Sequence, residues 1–175
     1  MKISKKKIAI VAIVVLIAAF LSWRLWPHSF ADVISADADS VTSLTCSASF
    51  SGLSDGGPLI TNYTLESLTL NEGEFQGVIK ILNDTSYRQD FRNLIPWPIS
   101  SVGSDGRYDE CSATITLVWG DVATENCSVS FLSDSILSVN NGTDDGFLIY
   151  HPTDRTALNK LANYIQLHGV LNGES

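Results

Sequence analysis

From Ile8 to Leu21 the chain carries no charged or polar side chain, and no other stretch limits its possible folds so strongly. Carried through Ser22, Trp23 and Arg24 to Trp26, the run is 19 residues long. At about 1.5 Å per residue that is roughly 28 Å, close to the hydrocarbon thickness of a bilayer. Arg24 lies within a turn of the end, where its stem can stay buried while its head reaches the interface, and Trp23 and Trp26 suit the same depth. Lys2, Lys5, Lys6 and Lys7 precede the run. By the positive-inside rule they hold residues 1–7 in the cytoplasm. The segment 8–26 therefore reads as a transmembrane signal-anchor helix of a single-pass cell-membrane protein, with everything after it outside and the lipid bilayer as the first partner.

A cleaved export signal is the rival, with small-x-small sites ending at Ala31 or Ala38. Either reading exports the remainder. Two Trp, Arg24 and Pro27 crowd the approach to Ala31, which favours an uncleaved anchor. A helix apolar on every face finds no cover inside so small a domain, which disfavours a core helix. The first cysteine is Cys46, too far along for a lipid-modified terminus.

Charge is distributed unevenly. Of eleven Lys and Arg, five lie at or before Arg24 and six beyond it, while all nineteen Asp and Glu lie beyond, so the exported part carries −13. That charge repels phosphate backbones and anionic headgroups, so nucleic acid is not an expected partner. Three cysteines, Cys46, Cys111 and Cys127, allow at most one bridge and show no metal spacing. Cys46 and Cys127 fall on the inward phase of expected strands and would pair only if those strands were neighbours; otherwise they are small buried thiols. The four N-x-S/T sequons, at Asn62, Asn83, Asn126 and Asn141, say little in a chain so rich in Asn, Ser and Thr.

Beyond Pro27, residues 27–39 read as a polar spacer, 40–169 as one α+β domain and 170–175 as a tail. Leu44, Cys46, Ala48 and Phe50 alternate with Ser and Thr, the period of a half-buried strand. "SDGGP" (54–58) closes that strand, and 62–70 is strand or irregular. Phe75, Val78, Ile79 and Leu82 have helical spacing. "CSATITLVWG" and "NCSVSFLS" alternate again and form a hairpin, and "SILSVN" and "GFLIYHP" form a second across "NNGTDDG". Ala157, Leu158, Leu161, Ala162 and Ile165 make the stripe of a last helix, capped at Thr153 or Asp154 and stopped by Gly169. Two helices over mostly antiparallel strands give a two-layer domain.

No motif identifies a reaction. There is no G-x-S-x-G, S-x-x-K or phosphate loop, and His28, His151 and His168 lie far apart. His151 with Asp154 and Arg155 could form a polar corner, and Asp105, Asp109 and Glu110 cluster without ligand spacing. Asn141, Thr143, Asp145 and Gly146 match the start of a calcium loop, whose twelfth position is Pro152. No catalytic residue, metal or cofactor is assigned. The connection 96–110 carries Trp97, Arg107 and Tyr108, side chains that dominate interfaces, and Arg88 and Arg92 join Arg107 as a basic group that pairs internally or meets an acidic partner. The expectation is a noncatalytic, acidic, membrane-anchored extracytoplasmic binding domain with an envelope protein partner. The alternatives are an exported enzyme working through His151, Asp154 and the 105–110 acids, or a structural subunit of an envelope complex.

Overall fold

The computed structural model describes residues 5–36, 40–54, 57–94, 111–119, 126–142 and 146–174. The apolar run forms α1 (Lys5–Arg24), 20 residues long. Its described side chains, 7–23, are all exposed, and none joins the core. That part is short of a membrane-spanning length: among the described residues no helix is long and apolar enough to cross a membrane. The helix ends before Trp26, its expected limit, because the residue preceding Pro27 is pushed out of the helical region. A bond from the Trp26 amide to the Trp23 carbonyl, 3.4 Å, marks the tightened last turn.

The stretch expected to be a spacer contributes to the core. Ser29 caps α2 (Phe30–Ile34) through a capping box, its side chain accepting from the Asp32 amide while the Asp32 carboxylate accepts from the Ser29 amide. The Ser29 hydroxyl, which donates to the Asp32 carboxylate at 2.7 Å, and then the Ser29 amide hold the Asp32 carboxyl below its ordinary value. The box turns Phe30, Val33 and Ile34 inward, where all three are buried. Phe30 meets the Tyr87 ring at 6.0 Å.

The strands are β1 (Val41–Ser54), β2 (Gly57–Thr69), β3 (Tyr87–Gln89), β4 (Cys111–Trp119), β5 (Asn126–Ser133), β6 (Ile136–Asn140), β7 (Leu148–Pro152) and β8 (Val170–Glu174). They form one antiparallel sheet in the order β3-β7-β6-β5-β4-β1-β2-β8. A ninth member is the bridge from His28 to Tyr87 at the β3 edge, made by paired backbone bonds of 2.7 and 2.9 Å. The two expected hairpins, β4–β5 and β6–β7, are present. The stretch 62–70, open between strand and irregular structure, lies in β2 as far as Thr69, and the expected tail supplies β8. The short β3 was not expected, since three residues carry no periodicity.

Helices α3 (Gly73–Asn83) and α4 (Ala157–His168) cover one face of the sheet with α2. Both apolar stripes point inward as the spacing requires: Phe75, Val78, Ile79 and Leu82 on one helix, Leu158, Leu161 and Ile165 on the other. The start of α4 lies later than expected. Thr156 is its N-cap, and Asp154 instead accepts from the Thr156 amide and hydroxyl at 2.8 and 2.7 Å. Gly77 lets the helices close, since a Cβ there would collide with the Tyr164 ring. At Gly169 a Cβ would lie 2.9 Å from the Thr64 carbonyl oxygen and closer still to that of Ile165, so only glycine lets the chain turn from α4 onto β2. Phe131 and Leu161 share the core, whereas Trp119 is only partly buried at its margin.

The cysteines do not bridge. β4 lies between β1 and β5, with Cys46 opposite Ile115 and Cys127 opposite Leu117. Two strand spacings are about 9.6 Å, beyond the reach of a disulfide. All three cysteines are buried and none is in a disulfide, and burial pushes the Cys46 and Cys127 thiols up to about 12.

Candidate functional site

The face of the sheet that no described helix covers carries two kinds of surface. At the β3–β7 end it is charged. Asp90 follows β3 and starts a 3-10 turn over Phe91–Leu94, which folds beside β7: Asn93 donates to the Ile149 carbonyl at 2.7 Å and accepts from the Ile149 amide at 2.9 Å. Asp90 is buried, its side chain 6% exposed. It accepts from the Arg92 amide at 2.7 Å, Arg92 Nε at 3.1 Å and Arg92 Nη2 at 2.9 Å. The fork is the bidentate arrangement that arginine makes with a carboxylate. Burial opposes ionisation of Asp90, but the bonds from the Arg92 side chain and amide and from His151 outweigh it and hold the carboxyl at about 2.

His151 completes the cluster. Its Nε2 lies 2.8 Å from Asp90 Oδ2 and its Nδ1 lies 2.7 Å from the Ser135 carbonyl oxygen. Both ring nitrogens face oxygens of the fold itself, so the ring is engaged by Asp90 and Ser135 and is not turned toward a substrate. The expected corner of His151 with Asp154 and Arg155 does not form. Asp90 takes the histidine, and Asp154 pairs with Lys160 at 2.8 Å. Of the expected basic group, Arg92 is held within the cluster. Arg88 stands opposite His151 in the β3–β7 register, exposed, and with His151, Pro152 and Thr153 lines a shallow cavity of about 270 Å³. Trp97, Arg107 and Tyr108 lie outside the described residues, as do the acids of 105–110 and residues 143–145 of the calcium-like stretch.

From β2 to β6 the same face carries rows of hydroxyl and amide side chains, partly exposed except for the buried Ser138. The registers align Thr64, Ser47, Thr114, Ser130 and Ser138 in one row across five strands. Thr45, Thr116, Ser128 and Asn140 form the next, and Asn62, Ser49 and Ser112 a third. Their partners on the other phase of each strand, such as Cys46, Ile115 and Val129, are in the core. Some hydroxyls bond across strands, Thr114 with Ser130 at 3.2 Å and Ser49 with Asn62 at 2.6 Å. No member of these rows is charged, in a domain that carries −13.

Asp90 gave no sequence signal, since its partner His151 is 61 residues away. The rows did leave one, the Ser and Thr phase of each alternating strand, although their alignment depends on strand order. A second cavity, of about 330 Å³, lies where β2 and β8 meet the helices and includes Glu66, Glu74, His168 and Val170. No family model matches this chain, and neither does any curated protein or solved structure.

Proposed function

We propose that this chain is a bilayer-anchored, extracytoplasmic domain with a noncatalytic binding role, and that it binds through the open face of its sheet. The observation that carries the binding role is the set of uncharged hydroxyl rows. A soluble surface ordinarily mixes charges of both signs throughout, and elsewhere this one is strongly acidic. A broad face without charge can meet a partner without stripping water from ions, the step that makes charged contacts costly. The Asp90–Arg92–His151 cluster supports the noncatalytic part, because its hydrogen-bonding groups are spent on each other.

The location is supported by the way the domain begins. Cleavage after Ala31 would remove Phe30, and cleavage after Ala38 would remove all of α2; Phe30, Val33 and Ile34 are each no more than 1% exposed. Losing a buried phenylalanine costs about 3 to 5 kcal/mol, so an export peptidase cutting there would damage the product. The apolar helix, with its basic flank, therefore stays attached.

Two measurements test the reading. Alkaline extraction of membranes followed by intact-mass analysis should find the whole chain in the bilayer; a mature terminus at Asp32 or Asp39 removes the anchor. Photoreactive side chains placed at Thr116, on the open face, and at Asn163, on the outer side of α4, should give adducts in the native envelope from the first alone. Equal adducts from both would remove the open face as the binding surface.

A further inference from the structure

Very little chain joins the apolar helix to the sheet. α1 ends at Arg24, and His28 already pairs with Tyr87 at the outer edge of β3. From Trp26 to His28 the backbone can reach at most about 7 Å, so the β3 edge stays close to the end of the helix. The opposite edge, β8, lies seven strand spacings away, roughly 34 Å at about 4.8 Å each. The two edges differ in charge. Glu66, Glu72 and Glu74 lie toward β8. At the β3 edge Asp90 is held by Arg92 and His151, while Arg88 is exposed and pairs with no acid among the described residues. Asp32 lies in α2, Asp84 ends α3 and Asp154, paired with Lys160, leads into α4, all in the helical layer; Asp134 lies in the β5–β6 turn. Phe91, next to Asp90, is 65% exposed, more than any other described aromatic side chain beyond Trp26. Leu167, Val170 and Leu171 are exposed as well, but they belong to the far edge.

Resting on the bilayer anchoring just proposed, we infer that the β3 edge is a docking site for the headgroups of anionic phospholipids in the membrane that holds α1. Arg88 takes a headgroup phosphate. Its guanidinium fork matches two phosphate oxygens, and the cavity it lines with His151, Pro152 and Thr153, about 270 Å³, leaves room beside it. Phe91 enters the boundary between headgroups and acyl chains, the level that suits the exposed Trp23 and Trp26. The net charge of the exported part repels such a surface, but its distribution reverses the sign locally. Within a Debye length of about 8 Å the lipids meet Arg88 and an Asp90 already neutralised by Arg92, while the acids toward β8 stand well beyond it. One arginine is enough because α1 already holds the domain at the surface, which makes the contact intramolecular in effect. The sheet then stands on its β3 edge, with the hydroxyl rows upright and accessible from the side.

The experiment uses the full chain, with benzoylphenylalanine in place of Phe91, reconstituted in vesicles of phosphatidylcholine and phosphatidylglycerol in equal parts. Irradiation should attach phosphatidylglycerol to the peptide that carries the probe. The same probe at Leu171, on the far edge, should capture no lipid. Arg88→Gln should lower the phosphatidylglycerol adduct roughly fivefold, the weight of one arginine at an anionic surface, with the melting temperature unchanged, and inorganic phosphate at matched ionic strength should not compete. If Arg88→Gln does not fold, vesicles of phosphatidylcholine alone test the same contact, since the total lipid adduct should fall as far. An equal adduct in the folded Arg88→Gln chain, or an equal yield in phosphatidylcholine alone, would overturn the inference. Loss of the adduct to inorganic phosphate would also overturn it, because the ligand would then be a free anion. Equal labelling from Leu171 would overturn the edge-down orientation. If neither position is labelled while alkaline extraction leaves the chain in the vesicles, the docking fails and the anchor stands; if the chain is extracted, the anchor fails with it.

Discussion

Replacing Asp90 by Asn removes one charge at the centre of the cluster and changes almost nothing in shape. The carboxylate of Asp90 accepts four bonds, three from Arg92 and one from His151, at 2.7 to 3.1 Å. An asparagine can accept only through Oδ1, and its amide points two donors at groups that themselves donate. The carboxyl stands at about 2 in the fold against an ordinary 3.8. At about 1.4 kcal/mol per unit this corresponds to roughly 2 kcal/mol of stability, trimmed by the exposure of its partners. The sign follows from the depressed value: the contribution is complete above about pH 4 and disappears as pH falls through about 2. Urea unfolding of the full chain in mild detergent, from pH 6 down to pH 2, should therefore give two curves that converge. Asp90→Asn should be less stable by about 2 kcal/mol near neutrality and about equal to the parent near pH 2. Other acids titrate in the same range, so the difference between the curves is the informative quantity. Parallel curves, or a gap under about 0.5 kcal/mol at pH 6, would refute the argument.

Leu161→Ala should cost about 2 to 5 kcal/mol in the same assay, because Leu161 is fully buried between α4 and the sheet; a loss under 0.5 kcal/mol would mean the helix is not seated there. Gly169→Ala should destabilise by about 1 to 3 kcal/mol through overpacking against two carbonyls, and a neutral result would show that α4 and β2 can separate freely. The three thiols should resist an aromatic disulfide reagent in the native protein and react together on unfolding, since each is buried; rapid reaction of Cys46 at neutral pH would contradict its burial.

Legibility followed periodicity. β4 and β5 could be read because one face is buried and the other is not, so Cys111, Ala113, Ile115 and Leu117 alternate without a break. The two helices covering the sheet could be read from their stripes. Elements defined by partners rather than pattern could not: β3 is three residues long, and β8 has exposed Val170 and Leu171 with no alternation. α2 left a signal, the Ser29 and Asp32 pair of a capping box, but its acids and small residues read as a spacer. The hydroxyls of the open face were visible strand by strand. Their rows were not, because β1 lies between β2 and β4 and nothing local in the sequence announces that insertion.

That insertion also governs the order in which the chain can assemble. β1 finds β2 at once across a tight turn, but its other neighbour arrives much later: Thr42 is bonded to the Val118 carbonyl, 76 residues on. At about 5 to 20 residues per second, roughly 4 to 15 s of synthesis separate the two. Throughout that interval the β1–β2 hairpin carries a bare strand edge, beside other nascent copies in the same state. A chaperone that recognises extended backbone would find a target there, and a delay in translation between Leu70 and Cys111 would lengthen the exposure without altering the finished fold.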